Sequence, residues 1–109
     1  MHTVKVTYQD ITLAKGILES DVKQLEGRYY FHPASLNREV LQMKGGGGQY
    51  FCPVKQGKAD YYNVVWDGKT LVDEASWVYE SLDNKDFRKI EGWMAFYGEE
   101  KGISIETTT

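Results

Sequence analysis

The N-terminal part of the chain alternates between apolar and polar residues over short stretches. Residues 4–8 alternate strictly, and a period of two is typical of a strand with one buried face. Gln9-Asp10 predicts a turn into a second strand over 11–14, and Lys15-Gly16 predicts a turn into a third strand over 17–19. These three segments predict an antiparallel meander.

Further strands are predicted where β-branched and aromatic residues cluster. These segments are 28–31, 61–66, 71–72, 75–79, 93–97 and 103–105. Asp67-Gly68 lies between two of them and is a strong signal for a tight hairpin. Ser35 is a candidate cap for one short helix, and a second is predicted over 84–91, capped by Asp83 and ended by Gly92. The fold class predicted is therefore mainly β.

Length and composition predict one domain over residues 1–109. Hydrophobic residues make up 41% of the chain and aromatic residues 14%, which is enough for one core. The four glycines at 45–48 follow no pattern and predict a mobile loop, and residues 107–109 predict a frayed tail. No repeat or linker indicates a second domain.

Charge and cysteine content exclude several function classes. The net charge is −3 and the basic residues are scattered, whereas nucleic-acid binding needs clustered Lys and Arg. No apolar run is long enough for a membrane span and no signal peptide is recognisable, so we expect neither a nucleic-acid nor a membrane partner, and a cytoplasmic location. Cys52 is the single cysteine, which excludes an intramolecular disulfide and a thiolate zinc site.

Six short stretches occur in one order and together extend over about residues 4–97. They are Leu18-Glu19, Arg28 to Pro33, Cys52 to Lys55, Ala59 to Tyr62, Ala75 to Tyr79 and Ala95 to Tyr97. In this order they resemble the family of domain of unknown function 427, whose biochemical activity is not established. The resemblance implies a compact β-tent-like domain of two small antiparallel sheets with one or two short helices. In the family, the lysine of the Cys52 to Lys55 stretch is usually followed directly by a glycine. In this chain Gln56 separates Lys55 from Gly57, so the loop is one residue longer.

The resemblance also bears on metals and cofactors. Many relatives with that architecture hold a structural zinc through paired cysteines, which this chain lacks, so we expect no metal and no cofactor. The family's catalogued label hints at nucleotidyl transfer, which needs a Gly-rich turn followed by paired carboxylates for Mg²⁺. Asp60 follows the glycines, but Tyr62 stands where the second acid is needed. We therefore do not favour nucleotidyl transfer.

The segment from Cys52 to Lys55 is the first candidate for chemistry. A neighbouring cation stabilises a thiolate, so Lys55 could activate Cys52, and His32 could act as a base if the fold brings it near. Glu19 is a second candidate, as a general base. The alternatives are a small buried thiol and a structural ion pair of the carboxylate. Whether the protein is an enzyme stays open at this point.

Two aromatic strands supply the remaining candidates. Alternate residues share a strand face, so Arg28 points with Tyr30 and Trp77 points with Tyr79. Aromatic walls with one cation suit a planar or anionic small molecule, although ordinary core packing would give the same pattern.

The leading hypothesis is a small-molecule binding domain. Its pocket would be lined by Glu19, Arg28, Tyr30, Cys52, Lys55, Trp77 and Tyr79. Substitution of Glu19 or Lys55 should then leave stability almost unchanged. The alternatives are an enzyme that uses Cys52 or Glu19, and a protein-interaction module that uses sheet edges or a surface aromatic patch.

Overall fold

The computed structural model describes residues 2–45 and 50–109, and most of them lie in β-strands. The ten strands are β1 (Thr3–Tyr8), β2 (Ile11–Ile17), β3 (Val22–Leu25), β4 (Arg28–Phe31), β5 (Leu41–Met43), β6 (Tyr50–Cys52), β7 (Gly57–Trp66), β8 (Lys69–Leu82), β9 (Met94–Phe96) and β10 (Ile103–Thr108). Four short 3-10 helices connect them, at Pro33–Ser35, Arg38–Val40, Lys85–Ile90 and Glu99–Lys101. The predicted mainly β class is confirmed. Most of the predicted glycine loop, residues 46–48, lies outside the described residues.

The strands form two antiparallel sheets, as the resemblance implied. The small sheet has the order β10-β1-β2. The large sheet has the order β3-β4-β9-β8-β7-β5, and β6 pairs with another part of β7. Thr107 and Thr108 pair with Val4 and Thr3 at the end of β10, so most of the predicted frayed tail is part of the small sheet.

The N-terminal meander differs from the prediction at Gly16. Lys15-Gly16 does not turn, because β2 continues to Ile17. A Cβ atom at Gly16 would lie 2.8 Å from Val22 Cγ2, closer than real Cβ atoms approach. The glycine therefore permits close packing of the next strand, and the chain turns later, at Glu19, whose φ is 73°.

Strand β8 joins two strands that the sequence predicted separately. The predicted Asp67-Gly68 hairpin is present, with positive φ at both residues, 51° and 76°, as a type I′ turn requires. The strand then runs fourteen residues, from Lys69 to Leu82. Glu74 interrupts its alternation with a φ of 51°, and Asn63 Oδ1 accepts a hydrogen bond of 2.8 Å from the Glu74 N–H.

The predicted helices are shorter and tighter than expected. The C-terminal one is a 3-10 helix capped by Asn84, whose Oδ1 accepts from the Asp86 N–H at 3.0 Å, so Asp83 is not the cap. Gly92 follows it with a φ of 77°. Ser35 ends a 3-10 turn rather than starting a helix, and His32 caps that turn.

The large sheet has hydrophobic side chains on both faces. On its inner face Phe31, Val78 and Met94 join residues of the small sheet, such as Val6, in one buried cluster between the sheets. Because strand residues alternate, their neighbours in the chain point to the opposite face. The outer cluster there consists of Tyr30, Cys52, Ala59, Trp77, Tyr79, Leu82, Ile90 and Ala95. Within residues 2–45 and 50–109, no helix has the length and apolar character needed to cross a membrane.

Candidate functional site

Six of the seven candidate residues lie together on the outer face of the large sheet. Four belong to the outer cluster itself, namely Tyr30, Cys52, Trp77 and Tyr79. The two cations lie against its rings: Arg28 over Trp77 and Lys55 over Tyr79. Five of the six family-matching stretches, all but Leu18-Glu19, thus contribute residues to one surface although they are distant in sequence.

The register of three strands brings the central rings into contact. Ala95 of β9 lies opposite Tyr30 on one side and opposite Trp77 on the other. Residues directly opposite one another in a sheet point to the same face. The small Ala95 side chain leaves room between them, and the Tyr30 and Trp77 rings meet edge to face with centroids 6.5 Å apart.

Arg28 holds its charge on an aromatic surface. Its guanidinium carbon lies 5.2 Å from the centroid of the Trp77 ring and 5.7 Å from that of Tyr97. These two rings are themselves in contact, with centroids 4.7 Å apart. Among the described residues, no carboxylate lies within 4.0 Å of the Arg28 guanidinium. Its Nη1 also donates to the Phe96 carbonyl at 3.5 Å. Hydrogen bonds from backbone N–H groups, and to a smaller extent the Arg28 charge, lower the pKa of the exposed Glu100 carboxyl. The Arg28 charge is therefore positioned by rings and by a backbone carbonyl, with no ion pair within 4.0 Å.

Lys55 is buried, at 7% exposure, and its charge is neutralised. Its ammonium forms an ion pair with Glu26 and lies 5.6 Å from the Tyr79 ring centroid and 5.1 Å from that of Phe87. Burial lowers the pKa of Lys55, but the hydrogen bond to Glu26 and nearby groups outweigh burial, and the net pKa is raised above 10.5. The expectation that Lys55 can be replaced without loss of stability does not fit this environment.

The loop that carries Lys55 is fixed by its backbone. The Gln56 N–H donates to the Cys52 carbonyl at 2.8 Å, and the Asp83 N–H donates to the Gln56 carbonyl at 3.0 Å. The Asn84 side-chain amide also donates to the Val54 carbonyl at 2.9 Å. Gln56 adopts a φ of 57°. The loop thus turns at Gln56 and places the Lys55 side chain against the rings of the outer face.

Cys52 lies in the buried part of the site, at 8% exposure, next to Tyr79. Burial, together with the neighbouring thiol, raises the pKa of the Tyr79 hydroxyl well above 10. His32 is placed elsewhere: its Nδ1 accepts from the Ala34 N–H at 3.0 Å, and its ring meets Trp93 edge to face. No hydrogen bond joins His32 to Cys52 in the described part of the chain.

Glu19 does not join the cluster. It is exposed, and its N–H donates to the Val22 carbonyl at 2.8 Å, at the start of β3. The acid of the cluster is instead Glu26, which follows the other end of that strand, after Leu25. Glu26 and Gly27 form a two-residue turn with φ of 53° and 76°. The sequence feature that could have predicted this turn is the Glu26-Gly27 pair between two strand-forming segments.

Three further residues of the site were not predicted: Tyr61, Phe87 and Tyr97. Tyr61 lies opposite Trp77 in the sheet. Burial, Tyr97 nearby and other acidic groups raise the pKa of Tyr61 to about 12. Tyr61, Tyr97 and Arg28 are all half-buried, and we call these three residues the aromatic rim. The rim is the part of the site that solvent reaches.

Among residues 2–45 and 50–109, no three His, Cys, Asp or Glu side chains lie close enough together to hold a metal ion.

The fold and the site define a two-sheet β domain with an aromatic and cationic outer face. The model of the family described as a domain of unknown function (DUF427) matches residues 1–107. The chain belongs to this family, as the six sequence stretches indicated. None of the curated proteins matches the chain.

Proposed function

We propose that the protein binds a small planar anion on the aromatic rim of the large sheet. The observation that carries this proposal is the Arg28 guanidinium, which rests on Trp77 and Tyr97 with no carboxylate partner among the described residues. A guanidinium offers paired N–H donors that match a carboxylate or a phosphate. The half-buried Tyr97 and Tyr61 rings beside it offer faces on which a planar group can stack.

The distribution of charge selects Arg28 over Lys55 as the anion receptor. The Lys55 ammonium is buried and paired with Glu26, so a ligand anion there would compete with a carboxylate already in place. Arg28 has no carboxylate within 4.0 Å among the described residues; its Nη1 donates only a long hydrogen bond of 3.5 Å to the Phe96 carbonyl. Burial of one side of its guanidinium against rings strengthens its attraction for an anion. A cationic ligand would instead be repelled by Arg28.

Three probes of similar size separate charge from planarity. Benzoate is a planar anion, cyclohexanecarboxylate is a non-planar anion, and benzylamine is an aromatic cation at neutral pH. Titration of each into isotopically labelled protein, followed by amide chemical shifts, gives both the affinity and the location of binding. We expect benzoate to bind most tightly and to shift the amides of Tyr61, Trp77 and Tyr97.

Two variants that each remove one positive charge provide the matched comparison. Arg28→Gln removes the charge from the rim, whereas Lys15→Gln removes an exposed charge of the small sheet. Arg28→Gln removes a charge-assisted hydrogen bond to the ligand and should weaken benzoate binding by about tenfold or more. The control variant should bind benzoate with the affinity of the natural chain. Equal affinity of both variants, or tighter binding of benzylamine, contradicts the proposal.

A further inference from the structure

A cavity of about 270 Å³ lies on the inner face of the large sheet. Its apolar floor is formed by Leu36, Leu41, Val78 and Met94. Val78 and Met94 are at most 4% exposed, and the half-buried Leu36 and Leu41 pack against the same cluster, so the floor is held by the packed core. The volume is below the range of drug-sized pockets, which restricts the cavity to a small ligand.

Two side chains of opposite charge line the same cavity, Arg38 and Glu80. Both are exposed, and neither has an ion-pair or hydrogen-bond partner among the residues the structure describes. Tyr62 lies within the electrostatic reach of both. Burial raises the pKa of its hydroxyl, Glu80 raises it further and Arg38 opposes that effect. An apolar floor thus carries one available positive and one available negative group.

We propose that this cavity binds an α-amino acid with an apolar side chain, with its carboxylate at Arg38, its ammonium at Glu80 and its side chain on the floor. A simple anion would be attracted by Arg38 but repelled by the Glu80 carboxylate. A simple cation would be attracted by Glu80 but repelled by Arg38. A zwitterion with an apolar body satisfies both charges and the floor together. The Tyr62 hydroxyl can donate to the carboxylate or accept from the ammonium.

The cavity is separate from the aromatic rim. Val78 and Glu80 line the cavity, whereas Trp77 and Tyr79 belong to the outer cluster. Alternation along β8 places these two pairs on opposite faces of the sheet. The inference therefore stands on different side chains from those of the proposed planar-anion site, and either one can fail without the other.

The test compares L-leucine with three compounds that each lack one feature. Isocaproate lacks the ammonium, isoamylamine lacks the carboxylate, and glycine lacks the apolar side chain. Each is titrated to about 10 mM into isotopically labelled protein, with the methyl resonances of Leu36, Leu41, Val78 and Met94 as the readout. We expect leucine to shift these methyl groups and to bind at least about tenfold more tightly than any of the three.

Variants on the two charges complete the test. Arg38→Gln and Glu80→Gln change exposed side chains and should leave the fold intact, which amide spectra verify. Each should weaken leucine binding by about tenfold, while Lys15→Gln, an exposed position of the small sheet, should leave it unchanged. The proposal is overturned if leucine does not shift the cavity methyl groups, if isocaproate or isoamylamine binds as tightly, or if neither cavity variant weakens binding.

Discussion

Replacement of Glu26 by Gln tests the central ion pair of the outer face. Glutamine keeps the size of the side chain but removes the negative charge that neutralises Lys55. The Lys55 ammonium then remains buried against the Tyr79 and Phe87 rings with no counter-charge. Since burial of an unpaired charge is unfavourable, the variant should be less stable at neutral pH.

The magnitude follows from the exposure of the two partners. Loss of one partner from a fully buried pair costs about 3–5 kcal/mol, whereas a fully exposed pair contributes about 0.2–1 kcal/mol. The Lys55 side chain is 9% exposed and the Glu26 side chain 49%, so this pair lies between those limits. We expect Glu26→Gln to lower the free energy of unfolding by about 1–2 kcal/mol, or Tm by about 3–10 °C.

Because Lys55 is more deeply buried than Glu26, removal of the lysine should cost less stability than removal of the glutamate charge. Lys55→Met retains contact with the rings and leaves the carboxylate of Glu26, which is already half exposed and can be hydrated. This variant should therefore cost less than Glu26→Gln. The double variant removes both charges and should recover most of the loss, because an uncharged replacement of a buried pair is often tolerated.

Urea unfolding followed by tryptophan fluorescence measures these differences. Glu19→Gln is the matched control, since Glu19 is exposed and lies outside the cluster, and it should change stability by less than about 0.5 kcal/mol. The pKa of Lys55 is raised, so on the alkaline side the contribution of the Lys55 charge is retained up to pH 10.5 and is lost as pH rises through the folded-state pKa. The reasoning is refuted if Glu26→Gln is no more destabilising than Glu19→Gln, or if the double variant shows no recovery.

Two further outcomes follow from burial on the sheet. Cys52 should react with iodoacetamide at least about tenfold more slowly in the folded protein than in urea, because its thiol is shielded; equal rates would show that the thiol is open to solvent. Burial raises the pKa of Tyr30, Tyr61, Tyr62 and Tyr79 above 10.0, so their contribution to stability is present below pH 10 and decreases as pH rises further. Phenolate absorbance at pH 10 should accordingly be lower in the folded protein than in urea, and equal absorbance would contradict the raised pKa values.

The shared faces of two pairs of site residues were predictable because alternation is a local property. Arg28 and Tyr30 share a face, as do Trp77 and Tyr79, and both pairs lie where the pattern indicates. What alternation cannot provide is the order of strands in a sheet. The contact between Tyr30 and Trp77 depends on β9, which enters from a distant part of the sequence and places Ala95 between them.

The sequence predicted Glu19 as the acid of the site, whereas the structure places Glu26 there, and this error also arises because local sequence does not determine long-range contacts. Glu19 and Glu26 both occupy turns with positive φ, at opposite ends of β3. Only the three-dimensional path of the Cys52–Lys55 loop decides which carboxylate meets the ammonium, and Lys55 lies 29 residues from Glu26 in the chain. An acidic side chain in a turn is usually solvated. No local feature of the sequence therefore distinguishes Glu26, which pairs with Lys55, from Glu19.

Catalysis by Cys52 requires more than a thiol near a cation. A nucleophilic thiol needs a stabilised thiolate, a base or a free positive charge, and a path for the substrate. Here the nearest cation is already paired with Glu26, the side chain is 8% exposed, and His32 is engaged with the backbone of Ala34. The rim presents the opposite properties, namely a guanidinium with no carboxylate within 4.0 Å among the described residues, half-buried rings and contact with solvent. Binding at Arg28 therefore accounts for more of the arrangement than chemistry at Cys52 does.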